Sequence, residues 1–233
     1  MFLIKRITAD FFHLLFPDYC NACGTALFYG EKTICTGCLY DLPYTDFHLY
    51  PENPAARLFW GRIHCHEVIA LLYFKKGGTK VQQLIHQLKY KGQKDAGYLL
   101  GCMLGEKLLK TGSEMKADLI IPVPLHWSKA YSRGYNQSKC IADGVAKVLQ
   151  LPVNTRLLIR QKNTATQTKK SRYNRFENMQ TAFKILQPGL LKNKHVLLID
   201  DVITTGATLE ACGKILLDNG LSRLSIAAIA FTA

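Results

Sequence analysis

Residues 196–208 read VLLIDDVITTGAT, and this stretch decides the fold. Four apolar residues precede Asp200 and Asp201, and a turn rich in Thr and Gly then leads into a helical pattern. In an open α/β sheet, ligands bind beyond the carboxyl ends of the strands, where backbone N–H groups, hydroxyls and a helix N-terminus suit a phosphate. The chain has neither the P-loop pattern of NTPases nor the Gly-rich dinucleotide fingerprint. The alternative is an ordinary strand–helix turn with acids near the cap.

Apolar strands alternate with amphipathic helices from about residue 68 onward. The predicted strands lie at 68–74, 119–123, 196–199 and 224–230. The predicted helices lie at 79–90, 95–110, 136–149 and 207–219. Continuous apolar strands separated by helices are typical of a parallel sheet covered on both faces, so the predicted fold class is α/β.

Four of the eight cysteines form two Cys-x-x-Cys pairs, namely Cys20 with Cys23 and Cys35 with Cys38. Two such pairs this close predict a tetrahedral four-thiolate site for structural Zn²⁺, with no coordination position left open for chemistry. The alternatives are two disulfides or four free thiols. The sequence shows no secretion signal and its other cysteines resemble buried apolar residues, so we expect a reducing, cytoplasmic compartment. His64-Cys65-His66 is interpreted as mainly structural, because neighbouring residues do not easily converge on one ion.

Changes in composition and periodicity along the sequence predict three segments. Residues 1–50 would hold an N-terminal helix and a metal-stapled unit, 51–67 would connect, and 68–233 would form the α/β domain. The apolar spacing near the N-terminus predicts a helix that docks on its own domain, with peripheral contact to a membrane surface as the alternative. The chain contains no apolar run of about 20 residues, so no membrane span is expected.

The segment 196–208 resembles the signature of type I phosphoribosyltransferases. The resemblance implies a loop for the 5′-phosphate of phosphoribosyl pyrophosphate (PRPP), made by Thr204, Thr205, Gly206, Ala207 and Thr208. It also implies that Asp200 and Asp201 contact the ribose hydroxyls and help to stabilise the positive charge that develops as the glycosidic bond breaks. Such a centre gains from nearby carboxylates in a site that excludes water. Mg²⁺ would bridge substrate oxygens, as it commonly does with phosphate substrates.

Further motifs make the whole chain resemble the competence protein F family, also called ComF or GntX-like. These motifs are the four-cysteine unit, LKYKG at 88–92, DLIIPVPL at 118–125 running into RGYNQS at 133–138, and the basic stretch 164–183. The resemblance implies a double zinc ribbon before a phosphoribosyltransferase-like domain, and a link to DNA uptake in natural transformation. It assigns pyrophosphate and hood contacts to Arg133, Gly134, Arg172 and Arg175. The implied activity is a pentosyltransferase with an open acceptor. The alternative is a non-catalytic module that senses PRPP or binds single-stranded DNA, with a competence helicase as a possible partner.

The net charge of +13 by itself indicates only an anionic partner. Between Val153 and His195 there are ten Lys or Arg residues and one acid, Glu177. Much of the excess therefore falls beside the predicted polyphosphate site. PRPP is the first interpretation of the charge, and single-stranded nucleic acid, which pairs basic with aromatic residues, is the second.

Overall fold

The computed structural model of the protein describes residues 17–110, 116–161 and 182–232. The predicted N-terminal helix, Arg172 and Arg175 lie outside these ranges. Within them, no helix combines the length and the apolar character needed to cross a membrane.

The helices and strands follow the predicted alternation. The helices are α1 (Thr36–Asp41), α2 (Pro54–Arg57), α3 (Lys80–Tyr90), α4 (Lys94–Leu109), α5 (Trp127–Arg133), α6 (Gln137–Leu149) and α7 (Ala207–Asp218). The strands are β1 (Glu67–Phe74), β2 (Leu119–Pro122), β3 (Leu158–Arg160), β4 (Phe183–Ile185), β5 (His195–Ile203) and β6 (Arg223–Thr232). Two short 3-10 turns occur at Phe47–Leu49 and Pro188–Leu191. The sequence did not predict α1, α2, α5, β3 or β4, which are all seven residues or shorter.

A parallel sheet forms the centre of the described structure. Its strand order is β1-β6-β5-β2, and all three pairings are parallel. Alternate residues of β5 enter two separate apolar cores: Leu197 and Ile199 enter one, and Val196 and Leu198 enter the other. This alternation is what a strand buried on both faces requires. The predicted α/β class with a parallel sheet is therefore confirmed.

The central strand β5 runs further than predicted. It continues through both acids to Ile203, because its parallel pairing with β6 also continues, from Asp200 opposite Ala228 to Ile203 opposite Phe231. The two acids are thus part of the strand rather than of the turn after it. Since successive residues of a strand point to opposite faces, the two carboxylates start in different directions.

Helices α4 and α6 cross at two glycines, and this crossing places the start of α6 beside the sheet. A Cβ added at Gly101 would lie 2.2 Å from the Ile141 carbonyl oxygen. A Cβ added at Gly144 would lie 2.2 Å from the Tyr98 carbonyl oxygen. Only glycine allows the two backbones to approach this closely.

The cysteine-containing segment packs on the same core as the sheet. Cys20, Ile34 and Cys38 are buried in one apolar cluster with residues of α3 and β1. The chain after α1 also covers the edge of β1, where the Tyr73 N–H donates to the Pro43 carbonyl at 2.8 Å. This contact covers part of the edge that β1 would otherwise expose to pairing with another chain.

Candidate functional site

The predicted phosphate loop lies between the end of β5 and the start of α7. Gly206 caps α7 with a φ of +75°, and its carbonyl accepts the Glu210 N–H at 2.8 Å. Thr204 and Thr205 are exposed, while Gly206 is buried. The left-handed backbone at Gly206 suits glycine because other residues are strained there. The turn thus presents two hydroxyl side chains beside the first turn of a helix, which is the chemistry that an anion needs.

Two residues from the segment before β1 contact this loop and the first turn of α7. The ring of the buried Phe59 would lie 3.1 Å from a Cβ at Gly206. Arg62 donates through Nη1 to the Thr205 carbonyl at 3.2 Å and forms an ion pair with Glu210 at 3.4 Å. The segment at 51–67, predicted only as a connection, therefore helps to shape the loop.

Asp201 is held on the face of the sheet that α3 and α6 cover. Its Oδ2 lies 3.0 Å from Lys89 Nζ and accepts a hydrogen bond of 3.0 Å from Gln137 Nε2. The side chain is 7% exposed. A carboxylate so far removed from water requires such partners.

Asp200 has a different environment from its neighbour. Its Oδ1 accepts hydrogen bonds from Ser138 Oγ at 3.0 Å and from the Asp201 N–H at 2.9 Å. The residue keeps partial contact with solvent. Burial of the carboxyl group and, to a smaller extent, the negative charge of Asp201 together raise the pKa of Asp200 from 3.8 to about 7. Asp200 therefore exchanges protons near neutral pH.

Several cations lie near the acid pair, and Lys89 contacts Asp201 directly. Burial lowers the pKa of Lys129, and the positive charges of Arg160, Arg133 and Lys89 lower it further, so these four groups act on one another. Burial also lowers the pKa of Arg160, whereas the charge of Asp200 raises it. A group of cations that act on one another, beside two carboxylates, suits a ligand that carries several negative charges.

The predicted pyrophosphate residues lie at the end of α5. Arg133 donates through Nη1 to Gln137 Oε1 at 3.0 Å, and its guanidinium lies 5.3 Å from the centre of the Tyr90 ring. Gly134 is exposed with a φ of +74°, and its N–H donates to the Ala130 carbonyl at 2.8 Å. Because Gln137 bonds both Arg133 and Asp201, the structure connects this loop to the acid pair. Of the predicted residues, Arg172 and Arg175 lie outside the described ranges.

The four predicted metal ligands converge at a second location. The Sγ atoms of Cys20, Cys23, Cys35 and Cys38 all lie within 4.8 Å of one another, and Cys23 and Cys35 are 3.8 Å apart. A tetrahedron with Zn–S bonds of about 2.3 Å requires sulfurs about 3.8 Å apart, so the donor set fits zinc. The Cys35 N–H donates to Cys20 Sγ at 3.2 Å, which helps to orient this sulfur. Among the described residues, this is the only group of three or more His, Cys, Asp or Glu side chains with such convergence.

Five residues that shape the site were not predicted from the sequence to belong to it: Phe59, Arg62, Lys89, Gln137 and Ser138. Lys89, Gln137 and Ser138 fall inside the motifs LKYKG and RGYNQS, so their position in those motifs was a usable signal. Phe59 and Arg62 had no such signal, because their role depends on how the segment 51–67 folds under the loop.

Comparison with known proteins agrees with this architecture. The phosphoribosyl transferase domain family matches residues 137–232. DNA utilization protein YhgH of Escherichia coli K12 is 28% identical over 210 residues, which is 89% of this chain and 87% of that protein. Competence protein F of Haemophilus influenzae is 28% identical over 213 residues, which is 91% of this chain and 83% of that protein.

One of the solved structures that match part of this chain is the glutamine PRPP amidotransferase from Bacillus subtilis complexed with ADP and GMP. It is 21% identical, with a TM-score of 0.42, and the match covers 60% of this chain and 30% of that one. The family match and the relatives lead to one conclusion: the chain is a homologue of competence protein F and of YhgH, and it carries a phosphoribosyl transferase domain.

Proposed function

We propose that the protein binds PRPP with Mg²⁺ and transfers the phosphoribosyl group to an acceptor, as a pentosyltransferase. The observation that carries this proposal is the arrangement at the carboxyl end of β5. There, Asp200 and Asp201 lie one short turn before the Gly206 cap of α7 and among mutually interacting cations. Phosphate, sugar hydroxyls and pyrophosphate each have suitable partners in this arrangement.

Each part of PRPP has a proposed set of residues. The turn from Thr204 to Thr208 would bind the 5′-phosphate through hydroxyls and backbone N–H groups. Asp200 would accept hydrogen bonds from the ribose hydroxyls. Arg133, with Gly134 beside it, would bind the pyrophosphate, since a guanidinium forms forked hydrogen bonds with phosphate oxygens.

The acid pair would also act during bond cleavage. As pyrophosphate leaves, positive charge develops on the ribose ring, and nearby carboxylates stabilise this charge. Carboxylate oxygens are suitable ligands for Mg²⁺. The bound ion would neutralise negative charge on the departing pyrophosphate. The residues Arg133 and Lys129 would supply further positive charge on the same side.

Calorimetric titration with PRPP and Mg²⁺ tests the binding. We expect saturable binding of PRPP, weaker binding of ribose 5-phosphate and of pyrophosphate alone, and loss of PRPP binding in Asp200→Asn. Glu52→Gln, which changes an exposed carboxylate in the segment 51–67, is the control. A protein that folds normally but shows no PRPP binding would refute the proposal. Pyrophosphate release in the presence of candidate acceptors then separates a transferase from a PRPP sensor.

We also propose that the four cysteines bind structural Zn²⁺. Support comes from the convergence of their sulfurs and from the N–H donated to Cys20. Thiolates that bind zinc persist in a reducing compartment, so the cytoplasm is the proposed location.

Binding of single-stranded DNA is a second candidate function, and one observation favours it. On α5, Trp127 is 73% exposed and Tyr131 is 89% exposed, and Lys129 and Arg133 lie on the same short helix. Exposed rings and nearby cations suit base stacking and backbone attraction. The names of the relatives, which refer to DNA utilization and competence, agree with this candidate.

The tryptophans allow a direct test of DNA binding. The chain has two, Trp60 and Trp127, so Trp60→Phe leaves Trp127 as the sole tryptophan reporter. We expect oligothymidine to quench its fluorescence, with an affinity that falls steeply as salt rises because phosphate contacts release counterions. Unchanged fluorescence at saturating oligonucleotide would refute stacking on Trp127.

A further inference from the structure

Lys89 joins the end of α3 to the acid pair, although it lies far outside the residues matched to the phosphoribosyl transferase domain family. We propose that Lys89 is a positioning residue: together with Gln137 it holds Asp201 as a fixed anionic anchor, and it leaves Asp200 as the carboxylate that meets the substrate. This inference rests on the proposed function, because the substrate in question is PRPP with Mg²⁺.

The surroundings of Asp201 support the role of an anchor. Lys89 Nζ and Gln137 Nε2 both lie 3.0 Å from the same oxygen, Oδ2. Lys89 comes from α3 and Gln137 from the first turn of α6, so the buried carboxylate connects two helices to β5. Removing one partner from a buried charge pair leaves the other uncompensated, which is costly. We therefore expect the Asp201 carboxylate to keep its position when a ligand binds.

Asp200 has the features expected of the carboxylate that meets the substrate. In the described part of the chain, both of its hydrogen bonds are accepted by Oδ1, from Ser138 and from the Asp201 N–H. Oδ2 remains for a ribose hydroxyl or for Mg²⁺. The partial exposure of the residue gives a ligand access. Two adjacent acids thus have separate tasks, because the strand directs them to different partners.

Contacts on either side of Lys89 hold it in place. The Leu88 carbonyl accepts a hydrogen bond from the Tyr135 hydroxyl, and the ring of Tyr90 lies against the guanidinium of Arg133. Leu88 is fully buried, and the Lys89 side chain is only 24% exposed. Three consecutive residues at the end of α3 therefore contact either the loop at 133–137 or the acid pair. Lys89 is positioned by the fold rather than free to sample the surface.

The test compares variants of the 233-residue chain, with its cysteine cluster intact, by titration with PRPP and Mg²⁺ across pH. Lys89→Met keeps the apolar stem and removes the charge, and we expect PRPP affinity to fall on the order of tenfold. The pH below which binding is lost should also move upward, because the positive charge of Lys89 lowers the pKa of Asp200 and the variant lacks that charge. Lys89→Arg should retain most of the affinity. Lys91→Met is the matched control, because Lys91 is exposed two residues later and should leave both readouts unchanged.

A double-mutant cycle separates positioning from direct contact with PRPP. If Lys89 acts through Asp201, then Lys89→Met causes little further loss in the Asp201→Asn background. Additive losses, or wild-type binding and pH dependence in Lys89→Met, would overturn the inference while the proposed function stands. Absence of PRPP binding by the wild-type protein would instead overturn the proposed function, and this inference with it. If Lys89→Met fails to fold, Gln137→Met removes the second donor to Asp201, and the same non-additivity with Asp201→Asn is expected.

Discussion

Gly206 lies against the ring of Phe59, so close that a Cβ at position 206 would be 3.1 Å from two ring carbons. The contact joins the predicted phosphate loop to a buried side chain that precedes β1 in the chain. The shape of the loop thus depends on both backbone conformation and packing.

We expect Gly206→Ala to destabilise the protein by about 1–2 kcal/mol from the left-handed backbone alone, with the Phe59 contact adding to that loss. Gly220→Ala is the control, because Gly220 has a φ of +91° but open space around its Cβ position. Urea unfolding of both variants measures the difference. Equal losses for the two variants would show that the Phe59 contact has no energetic effect.

Gly144→Ala should be more damaging, because the new methyl group meets the backbone of α4 rather than a side chain. We expect a loss of about 3 kcal/mol or more, since neither helix can move without disturbing the core. Gly189→Ala, at a site with open space, should change stability by less than about 0.5 kcal/mol. Chemical denaturation measures both. A loss for Gly144→Ala as small as that of Gly189→Ala would contradict the close crossing of α4 and α6.

The raised pKa of Asp200 predicts a stability cost at neutral pH. Its pKa rises from 3.8 to about 7 in the folded chain, so the folded state binds the proton more tightly than the unfolded state. The contribution of this group to the free energy of unfolding therefore decreases as pH rises from about 4 to about 7 and is constant above that.

Asp200→Asn removes this decrease. Compared with the wild-type protein, the variant should gain stability between about pH 5 and about pH 8, measured by urea unfolding at each pH. The comparison cancels the effect of other titrating groups, such as His195, whose pKa burial lowers. A stability difference that does not vary with pH would contradict the raised pKa. Loss of PRPP binding together with a gain in stability would show that the acid is kept for function.

Arg133→Ala should weaken PRPP binding by about 1.5–3 kcal/mol, the range for hydrogen bonds to charged groups. Arg133→Lys should recover only part of this, because an ammonium group lacks the forked geometry. Arg57, an exposed arginine that lies against Trp60, provides the control variant Arg57→Ala. Calorimetric titration measures all three. If Arg133→Ala binds PRPP as tightly as the wild-type protein, Arg133 does not contact the ligand.

For the cysteine cluster, we expect about one zinc ion per chain in protein purified without added metal. Cys38→Ser should abolish zinc binding and lower the unfolding temperature, since the buried Cys38 shares a core with α3 and the sheet. Cys102→Ser, outside the cluster, should retain the metal. Elemental analysis and thermal unfolding provide the measurements. Folded wild-type protein without zinc would refute the site.

The sequence predicted the strands and helices of the sheet well because their signals are local. An apolar run such as 196–199 and an amphipathic pattern such as 79–90 show which side chains are buried without information from the rest of the chain. The structure has a strand at the first and a helix at the second. The short helix α5 and the hairpin of β3 and β4 were not predicted, because elements this short have weak periodicity. The extension of β5 through Asp200 and Asp201 was also missed, since it depends on pairing with β6 rather than on local composition.

From the sequence alone follow the α/β class, the four-cysteine set and the position of two adjacent acids before a Thr- and Gly-rich turn. Only the tertiary structure separates those acids. Asp201 becomes an anchor because Lys89, 112 residues earlier in the chain, reaches its carboxylate with Gln137, and Asp200 retains access to solvent. The sequence determines that adjacent residues of a strand point to opposite faces of the sheet. The partners that each acid meets depend on how the helices pack, because packing joins residues that are distant in the chain.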